Sequence, residues 1–234
     1  MATMLGRIHD GLPVGAPWFV RIVLRSRWFL VATIALTLLV GITAVVSPDW
    51  LLNLDEPMSD WVRGSDGDYS VAKAVTQLGS PNLAIAAGAL AVVVIWQRCR
   101  ASALTLGALI VATLMTDFIL KILIDRPRPG GQLVSTQFGS FPSGHTIYAV
   151  VIFGMLPLLL WVLSNRPLML RGGFVLSAIV VALVAWSRVR LGAHWPSDVL
   201  ASVFIGASLL ISAEQLLISN WAANRCGATG HHST

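Results

Sequence analysis

Charged residues are scarce in this chain of 234 residues, at 12% of the sequence. A soluble domain carries about 25% charged residues, so most of this chain is expected to face something other than water. Hydrophobic residues make up 56% of the sequence, and the mean hydropathy is +0.76. Because a membrane helix needs about 20 apolar residues, the 234 residues suit a bundle of about six such helices.

Cysteine is nearly absent, with only Cys99 and Cys226. Both fall in segments that we expect in the cytosol, where disulfides are rare, so no structural disulfide is predicted. The sequence also lacks a cluster of carboxylates or cysteines with the spacing of metal ligands. We therefore expect neither a metal nor another cofactor, and we interpret His231 and His232 as part of a solvated tail.

Long apolar runs dominate what is present. They cover residues 28–46, 83–96, 103–124, 146–163, 174–186 and 199–218. They predict an all-α, polytopic membrane protein whose domain of six transmembrane helices covers residues 28–221. The first run is longer than the apolar core of a signal peptide and is interpreted as an uncleaved helix. Residues 72–78 either lengthen the second run or form a separate surface helix.

The flanks of this domain have a different composition. Residues 1–27 are expected to be a cytoplasmic segment, in which residues 14–28 could form a basic helix on the membrane surface. Residues 222–234 are expected to be a disordered cytoplasmic tail. Five tryptophans near the predicted span ends are interpreted as an interfacial belt: Trp50, Trp96, Trp161, Trp195 and Trp221. Glu214 is predicted to be interfacial, near the cytoplasmic end of the last span.

The distribution of arginine predicts the orientation. With six spans, nine arginines fall on one side: Arg7, Arg21, Arg25, Arg27, Arg98, Arg100, Arg166, Arg171 and Arg225. Such an excess marks the cytoplasmic side, so both termini are predicted to be cytoplasmic, in a bacterial inner membrane. This bias also explains the net charge of +5 without a nucleic-acid partner. The first loop is acidic and is predicted to lie outside.

Five cations on the predicted outer side run against this rule: Lys121, Arg126, Arg128, Arg188 and Arg190. Charges near a membrane are costly and tend to be functional. These cations, His145, His194 and Asp198 are all contained in three stretches of the sequence: residues 121–129, 141–145 and 187–198. A tetrahedral phosphate is the natural partner of such a group, since arginine binds two phosphate oxygens and lysine adds a point charge. Ser143 and Gly144 would add the free N–H groups of a helix N-terminus.

Two histidines at an anion site suggest a nucleophile and a general acid. His194 has Asp198 four residues on, one helical turn away, and a carboxylate on one ring nitrogen would leave the other free to attack. We therefore predict His194 as the nucleophile and His145 as the group that protonates the leaving oxygen and then activates water.

These stretches resemble the three signature motifs of the type 2 phosphatidic acid phosphatase family, which includes vanadium haloperoxidases. Lys121, Arg128 and Pro129 match the first motif, residues 142–145 the second, and Ser187, Arg188, His194 and Asp198 the third. The resemblance implies a phosphohistidine on His194 with Asp198 as its partner, and His145 as acid and base. It implies phosphate binding by Lys121, Arg128, Ser143, Gly144 and Arg188, without a metal.

The predicted function is hydrolysis of a lipid phosphate monoester or diphosphate at the outer membrane surface. Isoprenyl diphosphate, phosphatidate, phosphatidylglycerophosphate and lipid A phosphate are candidate substrates. A lipid phosphotransferase of the same fold would use the same histidines; a haloperoxidase or a non-catalytic lipid transporter fits less well. The role of Arg126 is left open between a headgroup contact and a charge behind the site. Arg190 is interpreted as a surface or headgroup residue, and Asp117 as a partner of Lys121.

Overall fold

The structure is a computed structural model that describes residues 8–9, 12–13, 27–64, 68–97, 100–135, 138–164 and 167–222. It describes the backbone alone for the four strand residues and for residues 158–164, 167–171 and 216–222. The predicted surface helix at 14–28 lies almost wholly outside the described residues. The predicted tail at 222–234 lies outside them after residue 222.

Helices account for nearly all of the described chain. They are α1 Arg27–Val46, α2 Pro48–Arg63, α3 Ser70–Thr76, α4 Pro81–Trp96, α5 Arg100–Ile124, α6 Gly144–Ser164, α7 Pro167–Arg190 and α8 Pro196–Ala222. A 3-10 turn, Gln77–Gly79, follows α3. Two short strands, β1 Ile8–His9 and β2 Leu12–Pro13, pair antiparallel with Ile8 opposite Pro13. The predicted all-α class is confirmed.

Each predicted apolar run lies within one of the long helices, because a continuous apolar stretch can satisfy its backbone in lipid only as a helix. Among the described residues, five segments are long and apolar enough to cross a membrane: Arg27–Val46, Ser70–Trp96, Arg100–Ile124, Gly172–Arg190 and Pro196–Gln215. In α6 the described apolar part is shorter, Gly144–Pro157. The count of six spans therefore stays a prediction.

Residues 72–78 lie inside the apolar segment Ser70–Trp96, but they belong to α3 and the 3-10 turn and not to α4. Ser80 separates the 3-10 turn from α4, because its backbone is extended and its side chain accepts a hydrogen bond from the Leu83 N–H at 3.3 Å. Pro81 then occupies the first turn of α4, where a missing N–H costs nothing.

The bundle buries a small core and exposes apolar side chains around it. The core cluster lies between α4, α5, α6 and α8 and contains Ile95, Ala103, Leu106, Leu109, Val151, Met155 and Ala213. Leu38, Leu90 and Leu123 are among many large apolar residues that are more than half exposed. A soluble surface of this kind would aggregate, so these faces are suited to lipid.

One end of the bundle collects the segments that carry the sequence motifs. Helices α5 and α7 end there, at Ile124 and Arg190, and α6 and α8 begin there, at Gly144 and Pro196. Residues 125–143 join α5 to α6, and a short connection, residues 191–195, joins α7 to α8. Parts of the chain that are distant in sequence thus meet at this end of the bundle, and the candidate site lies there.

Candidate active site

The three cations of the predicted phosphate site lie near both histidines. Lys121 is in the last turn of α5 and Arg188 in the last turn of α7, while Arg128 lies in the following loop after α5. The charges of all three act on the rings of His145 and His194. The structure therefore brings together the residues that the motifs predict, at the bundle end defined above.

His194 lies in the loop between α7 and α8 and is buried. Its Nδ1 is 2.6 Å from the backbone oxygen of Ser140. Because a carbonyl can only accept, Nδ1 carries the proton in the neutral ring, and Nε2 keeps its lone pair. Burial, together with the charges of Arg188, Arg128 and Lys121, lowers the pKa of His194 well below its usual value. The ring is therefore held neutral, in the tautomer that a nucleophile needs.

The predicted hydrogen bond between Asp198 and His194 is not formed. Asp198 Oδ2 lies 4.0 Å from His194 Nδ1 and accepts the Trp195 backbone N–H at 3.0 Å instead. The prediction assumed helical geometry between the two residues, but His194 precedes α8, which begins at Pro196. The Ser140 carbonyl occupies the place that the sequence assigned to the carboxylate.

Asp198 is instead half of a buried ion pair with Arg126. Asp198 Oδ1 accepts from Arg126 Nη1 at 2.5 Å, and Arg126 Nη2 donates to Asp55 Oδ2 at 2.7 Å. All three side chains are buried. Of the two readings of Arg126, this contact set favours a charge behind the site, since its side chain is 1% exposed and paired with two carboxylates.

Sequence reasoning missed Asp55. Its carboxylate accepts the backbone N–H of Ser197 at 2.8 Å and the Ser197 hydroxyl at 2.5 Å, besides the Arg126 bond. Asp55 thus ties α2 to the first turn of α8. A signal was present in the sequence, because Leu51, Asp55 and Ser59 repeat every four residues and form one buried face of α2.

Trp195 is also placed differently from the prediction. It is 9% exposed rather than part of an interfacial belt. Its indole N–H donates to the Pro127 carbonyl at 2.9 Å, and the Arg126 guanidinium lies over its ring at 5.8 Å. Glu214, predicted to be interfacial, is likewise buried in the bundle, at 4% exposure.

Arg188 has a buried donor without a partner. Its Nη1 donates to Thr76 Oγ1 at 2.8 Å, whereas its Nε has no hydrogen-bond partner in the described part of the chain. Buried donors are nearly always satisfied. This N–H belongs to a buried guanidinium beside two other cations, so it is well suited to donate to the oxygen of an anionic substrate.

The other two cations are held in place by the protein. Arg128 donates from Nε to the Phe138 carbonyl at 3.2 Å and from Nη2 to the Gly139 carbonyl at 2.9 Å. Lys121 pairs with Asp117, as predicted. Asp117 also accepts a hydrogen bond from the Tyr148 hydroxyl at 2.7 Å. Tyr148 therefore orients the carboxylate of Asp117, which in turn orients Lys121.

Ser143 and Gly144 stand at the start of α6, where the sequence places them. The Ser143 N–H is already used, since it donates to Ser202 Oγ at 2.7 Å. A Cβ on Gly144 would lie 2.5 Å from Asp117 Oδ2. Glycine is therefore required here by the carboxylate that holds Lys121, a reason separate from the free N–H groups that the sequence predicted.

His145 is the second histidine of the predicted site. The ring of His145, in the first turn of α6, makes no hydrogen bond within the described ranges, so it is free to exchange a proton with a ligand.

Arg190 donates to the Val62 carbonyl at 3.2 Å and lies over the Tyr69 ring at 4.7 Å. Arg190 thus holds the end of α2 and the segment that follows it. It is not among the cations whose charges act on His145 and His194.

Comparison with known proteins agrees with the motifs. The sequence model of the PAP2 superfamily matches residues 102–222. That match covers more than half of the chain and contains all the predicted site residues. The chain belongs to the PAP2 superfamily. Within this PAP2 protein, α5 to α8 carry the family region, and α1 to α4 add the segments that include Asp55 and Thr76.

Two curated relatives have enzyme names. Phosphatidylglycerophosphatase B of Bacillus subtilis is 33% identical over 97 residues, which is 39% of this chain and 46% of that protein. Undecaprenyl-diphosphatase of Sulfolobus acidocaldarius is 29% identical over 133 residues, 54% of this chain and 60% of that protein. The matched part thus spans about half the length of these relatives.

A solved structure shares the fold. It is the transmembrane PAP2-type phosphatidylglycerolphosphate phosphatase from Bacillus subtilis, with a TM-score of 0.69 and 21% identity, covering 83% of this chain and 96% of that one. Together with the five apolar helices, this likeness identifies the PAP2 protein as an integral membrane protein.

Proposed function

We propose that this PAP2 protein hydrolyses a lipid phosphate ester or diphosphate through a phosphohistidine on His194. The observation that carries the proposal is the buried, neutral His194 ring beside an unpaired Arg188 N–H. Phosphoryl transfer needs a nucleophile with a free lone pair and cationic donors that can bind the phosphate oxygens. His194 and Arg188 supply these two parts.

The first half of the reaction transfers the phosphoryl group to the enzyme. His145 takes up a proton when the negative charge of the bound phosphate offsets the three cations. His194 Nε2 then attacks phosphorus, the bond to the leaving oxygen breaks, and His145 gives that oxygen its proton. The Ser140 carbonyl accepts a hydrogen bond from Nδ1–H of the imidazolium-like ring throughout. Lys121, Arg128 and Arg188 balance the charge on the equatorial oxygens, which is the main requirement of this chemistry.

The second half releases inorganic phosphate. His145, now neutral, takes a proton from water as the water oxygen attacks phosphorus, and the P–N bond breaks. The bonding electrons return to Nε2, and the enzyme regains its starting protonation states. No step uses a metal ion.

A lipid substrate is supported by where the site lies. The site is at one end of helices whose outer faces are apolar, so a headgroup can reach it while the hydrocarbon chains stay in lipid. The names of the two curated relatives make phosphatidylglycerophosphate and undecaprenyl diphosphate the first candidates. The arginine distribution supports a site on the outer side of a bacterial inner membrane.

Phosphate release from purified protein in detergent tests this function. Phosphatidylglycerophosphate, undecaprenyl diphosphate and phosphatidate would be compared with phosphatidylglycerol, which has no terminal phosphate. We expect release from at least one of the first three without an acceptor lipid, inhibition by vanadate and none by EDTA. Release that needs an acceptor lipid would indicate a phosphotransferase, and release that needs a metal would contradict the proposal.

The lowered pKa of His194 predicts its pH behaviour. Only neutral imidazole reacts with diethyl pyrocarbonate, and a histidine with the ordinary pKa of about 6.5 loses about eightfold in neutral fraction between pH 7.0 and 5.5. Because the folded pKa of His194 lies well below its usual value, its rate of modification should change little over this range. Mass spectrometry of the peptide that contains His194, without substrate, measures the rate. A midpoint near pH 6.5 would contradict the neutral, pre-set nucleophile.

A further inference from the structure

Helix α2 has three distinct faces. One face is buried against the bundle and contains Leu51, Asp55 and Ser59. A second face is polar, exposed and acidic; it contains Asp49, Asn53, Glu56 and Asp60. The third face is large, apolar and exposed, with Trp50 at 59%, Leu54 at 50%, Met58 at 56% and Trp61 at 84%. Within the described ranges, no other part of the chain covers this third face.

The contacts of α2 show how the helix lies. It starts two residues after the end of α1; Asp55 accepts from Ser197 at the start of α8, and the Val62 carbonyl accepts from Arg190 at the end of α7. Arg63 donates to the carbonyls of Gly130 and Gly131, in the loop after α5, at 2.9 and 3.0 Å. All these points are at the same end of membrane-crossing helices. The axis of α2 therefore runs across the helix ends, along the membrane surface.

We propose that α2 is an interfacial helix seated in the lipid leaflet on the active-site side. The face formed by Trp50, Leu54, Met58 and Trp61 enters the boundary between headgroups and acyl chains. Tryptophan is enriched at this depth, and amphipathic helices bury their apolar faces about 5–10 Å into it.

Two observations favour lipid over a protein partner. The apolar face continues the exposed apolar end of α1, where Val45 and Val46 are 59% and 73% exposed. The acidic face lies on the other side of the exposed surface, turned toward water. Because neither the apolar face nor the acidic face of α2 contains a cation, membrane binding by α2 depends on apolar area and needs no anionic lipid.

The seating also places the site. Asp55 on the inner face holds Arg126 and the first turn of α8. A helix fixed at headgroup depth thus fixes the loop of His194 at the depth where a lipid phosphate is presented. The inference rests on the transmembrane fold and not on the proposed hydrolysis.

Single cysteines on α2 test the seating. In a Cys99→Ser, Cys226→Ser background, Leu54→Cys and Met58→Cys probe the apolar face, and Asn53→Cys and Asp60→Cys are matched controls on the acidic face. Each is labelled with a bimane fluorophore in nanodiscs that hold one copy of the full chain in zwitterionic lipid. Size-exclusion profiles show that each variant is folded.

Bromine-substituted acyl chains should quench the probes at 54 and 58 several-fold more than those at 53 and 60, and aqueous iodide should show the reverse order. Adding anionic lipid should leave both orders unchanged. Equal quenching at all four positions, or iodide quenching that is strongest at 54 and 58, would overturn the proposal and leave a soluble partner or a second copy as the occupant. Neither readout depends on a substrate, so failure of the proposed function would leave the outcome unaffected.

Discussion

Replacement of His194 by alanine is expected to lower phosphate release by at least about 10⁴-fold, the scale seen when a covalent nucleophile is removed. The variant should remain folded. It loses the hydrogen bond to the Ser140 carbonyl, which contributes about 1 kcal/mol, and the packing of one ring. Initial rates on the best lipid of the substrate panel, together with a thermal unfolding curve in detergent, measure both effects.

His145→Ala is the informative control for this variant. It should also lose turnover on a lipid substrate, because no acid protonates the leaving oxygen. With an aryl phosphate, whose leaving group needs little protonation, it should still transfer the phosphoryl group to the enzyme. His194→Ala should fail with both substrates. Full turnover by purified His194→Ala would show that another group is the nucleophile.

Replacement of Arg126 by methionine is expected to have the largest effect on stability. Arg126 bridges two buried carboxylates, Asp55 and Asp198, and removing one partner of a buried ion pair costs about 3–5 kcal/mol. In this case two buried carboxylates lose their cation, and α2 and the first turn of α8 lose the bridge through Arg126 and keep only the bonds between Asp55 and Ser197. Unfolding measured by thermal scanning and by denaturant in mixed micelles should show the loss.

Two variants separate charge from packing in this prediction. Asp55→Asn should be much milder than Arg126→Met, because it leaves the neutral pair of Arg126 and Asp198 intact. Arg126→Lys should not rescue, since one ammonium group cannot make the forked contacts with both carboxylates. Arg190→Met, on a cation that holds only the neighbouring segment, serves as the control. Similar stabilities for Arg126→Met and Arg190→Met would refute the role given to the buried pair.

The parts of the fold that follow from composition could be predicted. Apolar runs locate the long helices, with ends that differ by up to seven residues, at the start of α7, since lipid permits few other backbone conformations. The site residues could also be placed together, because Lys121, His145, Arg188 and Asp198 all lie at helix ends. Their roles in catalysis remain predictions that the variants above test.

Other parts carry no signal in sequence spacing. The partner of His194 is a backbone carbonyl, that of Ser140, and any residue could supply one. The distance of four residues to Asp198 misled because the chain at His194 is not helical. Arg126 and Asp55 are 71 residues apart, and only the folded chain brings them together. Helix α2 was expected to be a loop, because its acidic residues interrupt any long apolar run and Pro57 lies inside it.

A rapid acid-free quench of the wild-type protein, mixed with substrate labelled in its terminal phosphate, tests the central claim most directly. The account predicts an acid-labile, alkali-stable label on the peptide that contains His194 and no label on the His194→Ala variant. A label on a different residue, or rapid turnover with no labelled protein at any time, would contradict the phosphohistidine on His194.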